Sequence, residues 1–356
     1  MISRRVESSA WIAGLAGLVG SIVGWLIDPE AFAYGWLAAV ILAVGWPLGS
    51  TALIYIHALT GGRWGWAIRP QLAFGTATLA VVVPAIIPVA VLAGRLYPWM
   101  HSEAANGLSN TWYLNPGFFY GRGIVYVVIW LGIGAITLLA LHRTDPQPML
   151  YRAAAPCLIL LELSVTFAAI DSTLSLEPEF KSSVYGMIIS AEGVLFALSV
   201  GTFTALLMSP LEPIPREDLG KLMLAVTIFW AYLDFMQILV VWNSDLPGEA
   251  AWYVHRTAAG WNWIAGLIAL LHFFVPFFIL LWPQMQRSRR MLIVVAAILI
   301  VAEIPRAWWL VLPSSPGGFT WIDIAAMLAV GGLAAGVTLS APRFARLSPT
   351  ARETHA

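Results

Sequence analysis

Ten stretches of predominantly apolar residues, most of them 20 or more residues long, constrain this chain more than any other feature. They run approximately over 9–27, 34–57, 70–96, 118–141, 150–170, 184–208, 219–242, 257–282, 291–312 and 321–341. A helix rises 1.5 Å per residue, so about 20 apolar residues cross the hydrocarbon core of a bilayer. In that medium each backbone polar group must be satisfied internally, and a helix does this within one segment. The expectation is an all-α integral membrane protein, one polytopic domain over 1–356 with about ten transmembrane helices. Only 11% of residues are charged, against about 25% in soluble domains, and the mean hydropathy is +0.80. The first stretch lacks a small-residue cleavage site and runs directly into Asp28-Pro29 and a second span. It reads as a span, not as a cleaved leader.

The same composition excludes whole classes of function. The 19 basic and 19 acidic residues cancel, and no basic patch offers itself to phosphates, so nucleic acid is not an expected partner. The single cysteine, Cys157, cannot build a disulfide framework, an iron–sulfur cluster or a thiolate zinc site in this chain. There is no C-x-x-C-H for covalent haem. Haem b would require a mate for His272 at matching depth, and His57, near the other end of its own span, is the only candidate. The expectation is that no cofactor is bound by this chain.

Positive residues set the orientation. Fourteen of the 19 lie in the even-numbered loops and the termini, among them Arg63, Arg69, Arg143, Arg152, Lys221 and the Arg287–Arg290 cluster. Arg95, Arg122, Lys181, Arg256 and Arg306 lie toward the opposite side. Both termini are therefore expected in the cytoplasm. The outer side carries the longer connections, 97–117 and 243–256, and the acidic turn 171–183. Trp99, Trp112, Trp252, Trp261, Trp263, Trp308, Trp309 and Trp321 gather there, which reads as an interfacial aromatic belt.

Charges within hydrocarbon are expensive, so each is a functional candidate. Glu162, Glu192, Asp234 and Glu303 lie eight to nine residues below the outer ends of four different spans, a depth of roughly 12–14 Å. They read as one layer lining a polar interior. Arg306 follows Glu303 at i+3 and is its expected ion-pair partner; Asp234 and Gln237 share a face by the same spacing. His272, about fifteen residues into its span, is expected below that layer, as a relay or a packed core residue. Pro84, Pro88 and Pro276 mark bends.

Several segments together carry a resemblance. They are His57-Ala-Leu-Thr-Gly-Gly-Arg-Trp-Gly65, Tyr113-Leu-Asn-Pro-Gly-Phe-Phe119 with Arg122, and Asp171 with Ser175-Leu-Glu-Pro178. Asp218-Leu-Gly-Lys221, Phe229-Trp-Ala-Tyr232 with Gln237 and Trp242, and Leu246-Pro247 with Glu249, Trp252-Tyr253 and Arg256 follow. His272-Phe-Phe-Val-Pro-Phe277 and Trp309-Leu-Val-Leu-Pro313 complete the series. In order and spacing it resembles the cofactor-free membrane component of alternative complex III, a bacterial quinol:cytochrome c oxidoreductase, within the NrfD/polysulfide-reductase membrane-subunit group. The resemblance spans about residues 46 to 335.

It implies a ten-helix protein built around two four-helix bundles with two peripheral helices and no redox centre of its own. It implies partners: a sister NrfD-like membrane subunit holding the quinol site, and subunits carrying iron–sulfur clusters and c-type haem. It also implies a contribution to proton movement. The chain departs from the pattern at Ser172, at Asp245-Leu-Pro-Gly-Glu249, at Met236 and at Arg306, which stands where an aspartate is expected. These departures touch the proton route.

The function expected is that of a non-redox membrane subunit in a respiratory quinol-oxidising complex. The expected proton path runs through Glu162, Glu192, Asp234, Gln237, His272, Glu303 and Arg306. Asp171 and Glu177 are expected near a quinone, where a carboxylate could accept a quinol proton. The rivals are a purely structural assembly subunit and a proton-coupled secondary transporter, the latter expected to show repeated halves.

Overall fold

The computed structural model describes residues 4–101, 112–208 and 211–345, and among them there are helices and connections but no strand. Ten helices are long and apolar enough to cross a bilayer. They are α1 (Arg4–Ile27), α2 (Pro29–Thr60), α3 (Arg63–Val91), α4 (Pro116–Leu141) and α5 (Gln147–Ser172), followed by α6 (Tyr185–Met208), α7 (Pro213–Ser244), α8 (Trp261–Leu280), α9 (Arg289–Val311) and α10 (Trp321–Ala345).

Local chemistry sets the ends. Asp28 alone separates α1 from α2, and its Oδ1 accepts from the backbone N–H of Glu30 and Ala31. Pro29 then sits where its missing N–H costs nothing. Asn115 caps α4 through the N–H of Phe118, again with a proline at the first helical position. Gly61 and Gly62 take positive φ values of 70° and 101° to reverse the chain from α2 into α3.

Packing is uneven. In α2, 78% of the most apolar stretch is buried, against 22% in α1. α2 therefore runs through the interior, against α3, α5, α6, α9 and α10, while α1 lies outside against α10. Close approaches depend on glycine. A methyl group on Gly49 of α2 would stand 2.1 Å from the carbonyl oxygen of Gly193 on α6. One on Gly17 of α1 would stand 2.3 Å from the backbone nitrogen of Ala329 on α10.

The apolar core forms two clusters stacked along the helix axes. One, toward the end with the longer connections, contains Leu37, Trp99, Leu174, Trp252, Leu310 and Ala326. The other contains Leu53, Leu72, Leu150, Leu198, Leu219 and Leu292. On α6 to α9 the ionisable residues fall at the boundary: Glu192 between Ala191 and Leu195, and Glu303 between Leu299 and Ala307.

Four features differ from the sequence expectations. α3 is interrupted at Thr78, whose hydroxyl donates to Gly75 O at 2.6 Å, whereas Pro84 and Pro88 lie within a continuing helix. The 243–256 connection holds a nine-residue helix, Pro247–His255. α8 begins at Trp261 and widens into a π turn over Ala269–Phe274, just before Pro276. The tryptophans do not form one belt. Trp263 is exposed, whereas Trp99, Trp252 and Trp309 are core residues.

Candidate functional site: a polar layer between two apolar clusters

Five ionisable side chains from four helices meet between the two clusters. Arg306 on α9 is the centre. Its Nε donates to Glu192 Oε2 on α6 at 2.9 Å, and its Nη2 donates to Asp234 Oδ1 on α7 at 2.8 Å. One guanidinium carries five N–H donors in a fixed fork, which suits it to bridge two carboxylates. Glu192 and Arg306 are both buried; Asp234 is partly open. The guanidinium also lies 5.4 Å from the Trp230 ring centre and 5.3 Å from that of Trp309.

Glu303 turns instead to α8. Its Oε1 lies 3.2 Å from His272 Nε2, but the two are not aligned as a hydrogen bond. The imidazole is fully enclosed and stacks on Trp230 at 4.1 Å between ring centres, 22° from parallel. Neither ring nitrogen has a hydrogen-bond partner among the described residues, and neither do Glu303 Oε1 and Trp230 Nε1. Buried polar atoms are seldom left this way without an ordered water or a working role.

A cavity flanks the layer on each side. One, of about 110 Å³, is lined by Glu162, Ser190, Glu192 and Glu303 among apolar side chains of α2, α5 and α6. That exceeds the volume one water molecule needs, and the lining supplies polar partners. The other, about 460 Å³ between α7 and α8, is lined by Trp230, Tyr232, Asp234, Phe273, Arg306 and Trp309, among others. Glu192 faces the first cavity, Asp234 the second, and Arg306 joins them.

Two further networks lie nearer the end with the longer connections. Asp171, at the end of α5, accepts from Arg122 Nε at 2.9 Å, Arg122 Nη2 at 2.8 Å and the Tyr126 hydroxyl at 2.8 Å. The Arg122 guanidinium is covered by the Tyr113 and Phe118 rings at 3.8 and 4.4 Å. Glu177, in the turn after α5, accepts from Arg256 Nη1 at 2.7 Å and Ser314 Oγ at 2.8 Å, and lies 3.1 Å from His255 Nδ1. Burial alone would raise the Glu177 pKa. The Arg256 charge and the hydrogen bonds from Arg256, Ser314 and His255 outweigh it and hold the carboxyl below its usual range. Arg256 is fully enclosed and also donates to Leu310 O, so this network ties three connections together.

The geometry sorts the residues singled out by sequence. Glu192, Asp234, His272, Glu303 and Arg306 come together. Arg306 pairs across helices, with Glu192 and Asp234, and not with Glu303. His272 lies within the layer and not below it, because α8 starts at Trp261 and the histidine is eleven residues in. Gln237 is not in the layer: its Oε1 accepts from the Ser182 hydroxyl. Glu162 is exposed and bonded only to Thr166 of its own helix among the described residues, though it lines the smaller cavity. Asp171 and Glu177, close in sequence, belong to separate networks. Sequence reasoning missed Trp230, Tyr126 and the anchoring roles of Arg122 and Arg256. The two arginines had a signal, as scarce positive residues on the acidic side; Trp230 stood only within the Phe229-Trp-Ala-Tyr232 segment, with nothing to mark it as a site residue. Among the described residues no group of three His, Cys, Asp or Glu side chains is placed to hold a metal ion. Neither a family model nor a curated protein matches this chain.

Proposed function

We propose that this protein is a bacterial inner-membrane component of a quinol-oxidising respiratory complex, and that its polar layer passes protons through the membrane interior. One observation supports the reading above others. His272 and Glu303 are buried and adjacent, with both imidazole nitrogens and Glu303 Oε1 without a hydrogen-bond partner among the described residues, beside a bridged Glu192–Arg306–Asp234 chain with a cavity at either side. A group that must take up and release a proton needs a mobile partner, such as water or a second titratable group. It cannot do this while locked into saturating hydrogen bonds. The proposed path runs from His272 and Glu303 to Glu192, past Arg306, to Asp234. The fixed guanidinium charge attracts the carboxylates on either side of it and so influences where a proton rests. Quinol oxidation yields two electrons for each two protons. In this proposal the electrons pass through iron–sulfur and haem groups of partner subunits, and the sister membrane subunit holds the quinol. The resemblance of the sequence to the cofactor-free membrane component of alternative complex III motivates that assignment. The bilayer is the protein's medium, and both termini are assigned to the cytoplasm by the distribution of arginine and lysine.

Glu162 and Gln237, expected in the path, are left out of it, and Asp171 and Glu177, expected near a quinone, form no part of it. Asp171 accepts three hydrogen bonds and Glu177 is held by Arg256 and Ser314. Both read better as anchors for the connections than as acceptors for a quinol proton.

A second reading, a purely structural role, draws on the double clamp on Arg306, since a bridged ion triad can fix helix register without moving charge. Proton release by the intact complex in sealed vesicles separates the two. Under the relay reading, Asp234→Asn and Glu303→Gln lower proton release per electron while leaving assembly intact. If either variant assembled normally and released protons at the unaltered ratio, the relay would be wrong and the structural role would stand.

A further inference from the structure

The face of α5 around Glu162 carries a feature that the protein alone does not resolve. Glu162 is the sixteenth of 26 residues in that helix, so about 15 Å of helix separates it from the nearer end. Its carboxylate is therefore far from both ends of the helix. It is exposed, and its only hydrogen bond among the described residues is a long one, 3.4 Å, from Thr166 Oγ1 one turn away. Around it the surface is apolar and open: Ile159, Leu160, Leu163 and Phe167 all face outward. An acid in such a setting belongs against protein or water, not acyl chains. The smaller cavity opens beside it and leads inward to Ser190, Glu192 and Glu303. Ser190 Oγ is buried there without a partner among the described residues.

We propose that this face binds a transmembrane helix of a different protein, and that the helix places a basic side chain against Glu162 and closes the cavity mouth. Charge decides the occupant. A two-fold contact between copies of this chain centred on Glu162 would place the acid close to its own symmetry mate with no cation between them. A lysine or arginine at mid-span would be as costly alone in lipid as Glu162 is, and the pair compensates both. The inference does not rest on the proton reading, because the exposed carboxylate of Glu162 among apolar neighbours motivates the partner helix whether or not protons move.

The test places a photo-reactive amino acid at Ile159 in native membranes and maps the adducts by mass spectrometry, with the same group at Ile12 of α1 as a lipid-facing control. The expected adduct lies on one membrane-spanning segment of another protein and within a turn or two of a lysine or arginine. Glu162→Leu lowers its yield about tenfold, the loss of one charge-assisted contact. Glu162→Lys restores it only when the partner's basic residue is changed to glutamate. Leucine suits a lipid-facing position, and elution of the detergent-solubilised variant confirms that it folds. Adducts to lipid alone, to another copy of this chain, or to a segment without a basic residue would overturn the proposal. So would an adduct yield unchanged by Glu162→Leu. Proton release is not read in this experiment, so its failure is distinct from failure of the relay.

Discussion

At the scale of single residues, compensation of buried charge governs the account. Replacing Arg306 with methionine removes a cation from between Glu192 and Asp234 and leaves two carboxylates facing each other. Breaking a buried pair from one side costs about 3–5 kcal/mol. Arg306→Met should therefore lower the thermal midpoint of the detergent-solubilised protein sharply. Adding Glu192→Gln and Asp234→Asn to it should recover most of the loss. Asp171→Asn should be comparably damaging, because it strips a buried arginine of its only carboxylate among the described residues. Glu177 predicts a pH dependence. Its pKa is depressed in the folded protein, so the stability it contributes is present above the ordinary carboxylate pKa and is lost as pH falls through the folded value. Melting followed from pH 7 to pH 3 should show that loss, and Glu177→Gln should flatten the curve in that window. How much of this was legible in the sequence follows from geometry. That Glu192, Asp234 and Glu303 lie at similar distances from their helix ends could be read off because the helical rise is fixed. Their partners could not, because the rotation of each helix about its axis is decided by packing. Spacing at i+3 put Glu303 and Arg306 on one face, yet their side chains diverge, one to α8 and the other to α6 and α7.

At the scale of elements, small residues and backbone irregularities position the layer. α2 and α6 approach so closely at Gly49 and Gly193 that one methyl group would meet a carbonyl oxygen. Gly49→Ala should cost about 1–3 kcal/mol, as overpacking does, visible as a lower melting midpoint. Gly121, where nothing lies within 4 Å of an added Cβ, should accept alanine without such loss. The ten spans were legible because apolar length alone defines them. The π turn at Ala269–Phe274 was not, since periodicity carries no mark of one extra residue per turn; only Pro276 hinted at irregularity. The start of α8 is hidden in the sequence for a related reason. Residues 257–260 are apolar enough to continue a span, but Gly260, with φ 90°, ends the turn there. The later start brings His272 several ångströms closer to the outer end and into contact with Glu303.

At the scale of the whole molecule, two apolar clusters enclose a polar layer that touches a cavity on each side, and the proposed orientation rests on the charge asymmetry of the connections. A cysteine introduced in the 143–146 connection should be labelled from the cytoplasmic side only, and one at Trp263 from the opposite side only; the reverse pattern would invert the direction of the proposed path. The most direct test of the central claim is purification of the tagged protein from its own membranes in mild detergent, with protein identification and a reduced-minus-oxidised visible spectrum. The account predicts co-purified subunits with iron–sulfur clusters and c-type haem, and haem reduction on addition of quinol. A stable, solitary, colourless protein would contradict it.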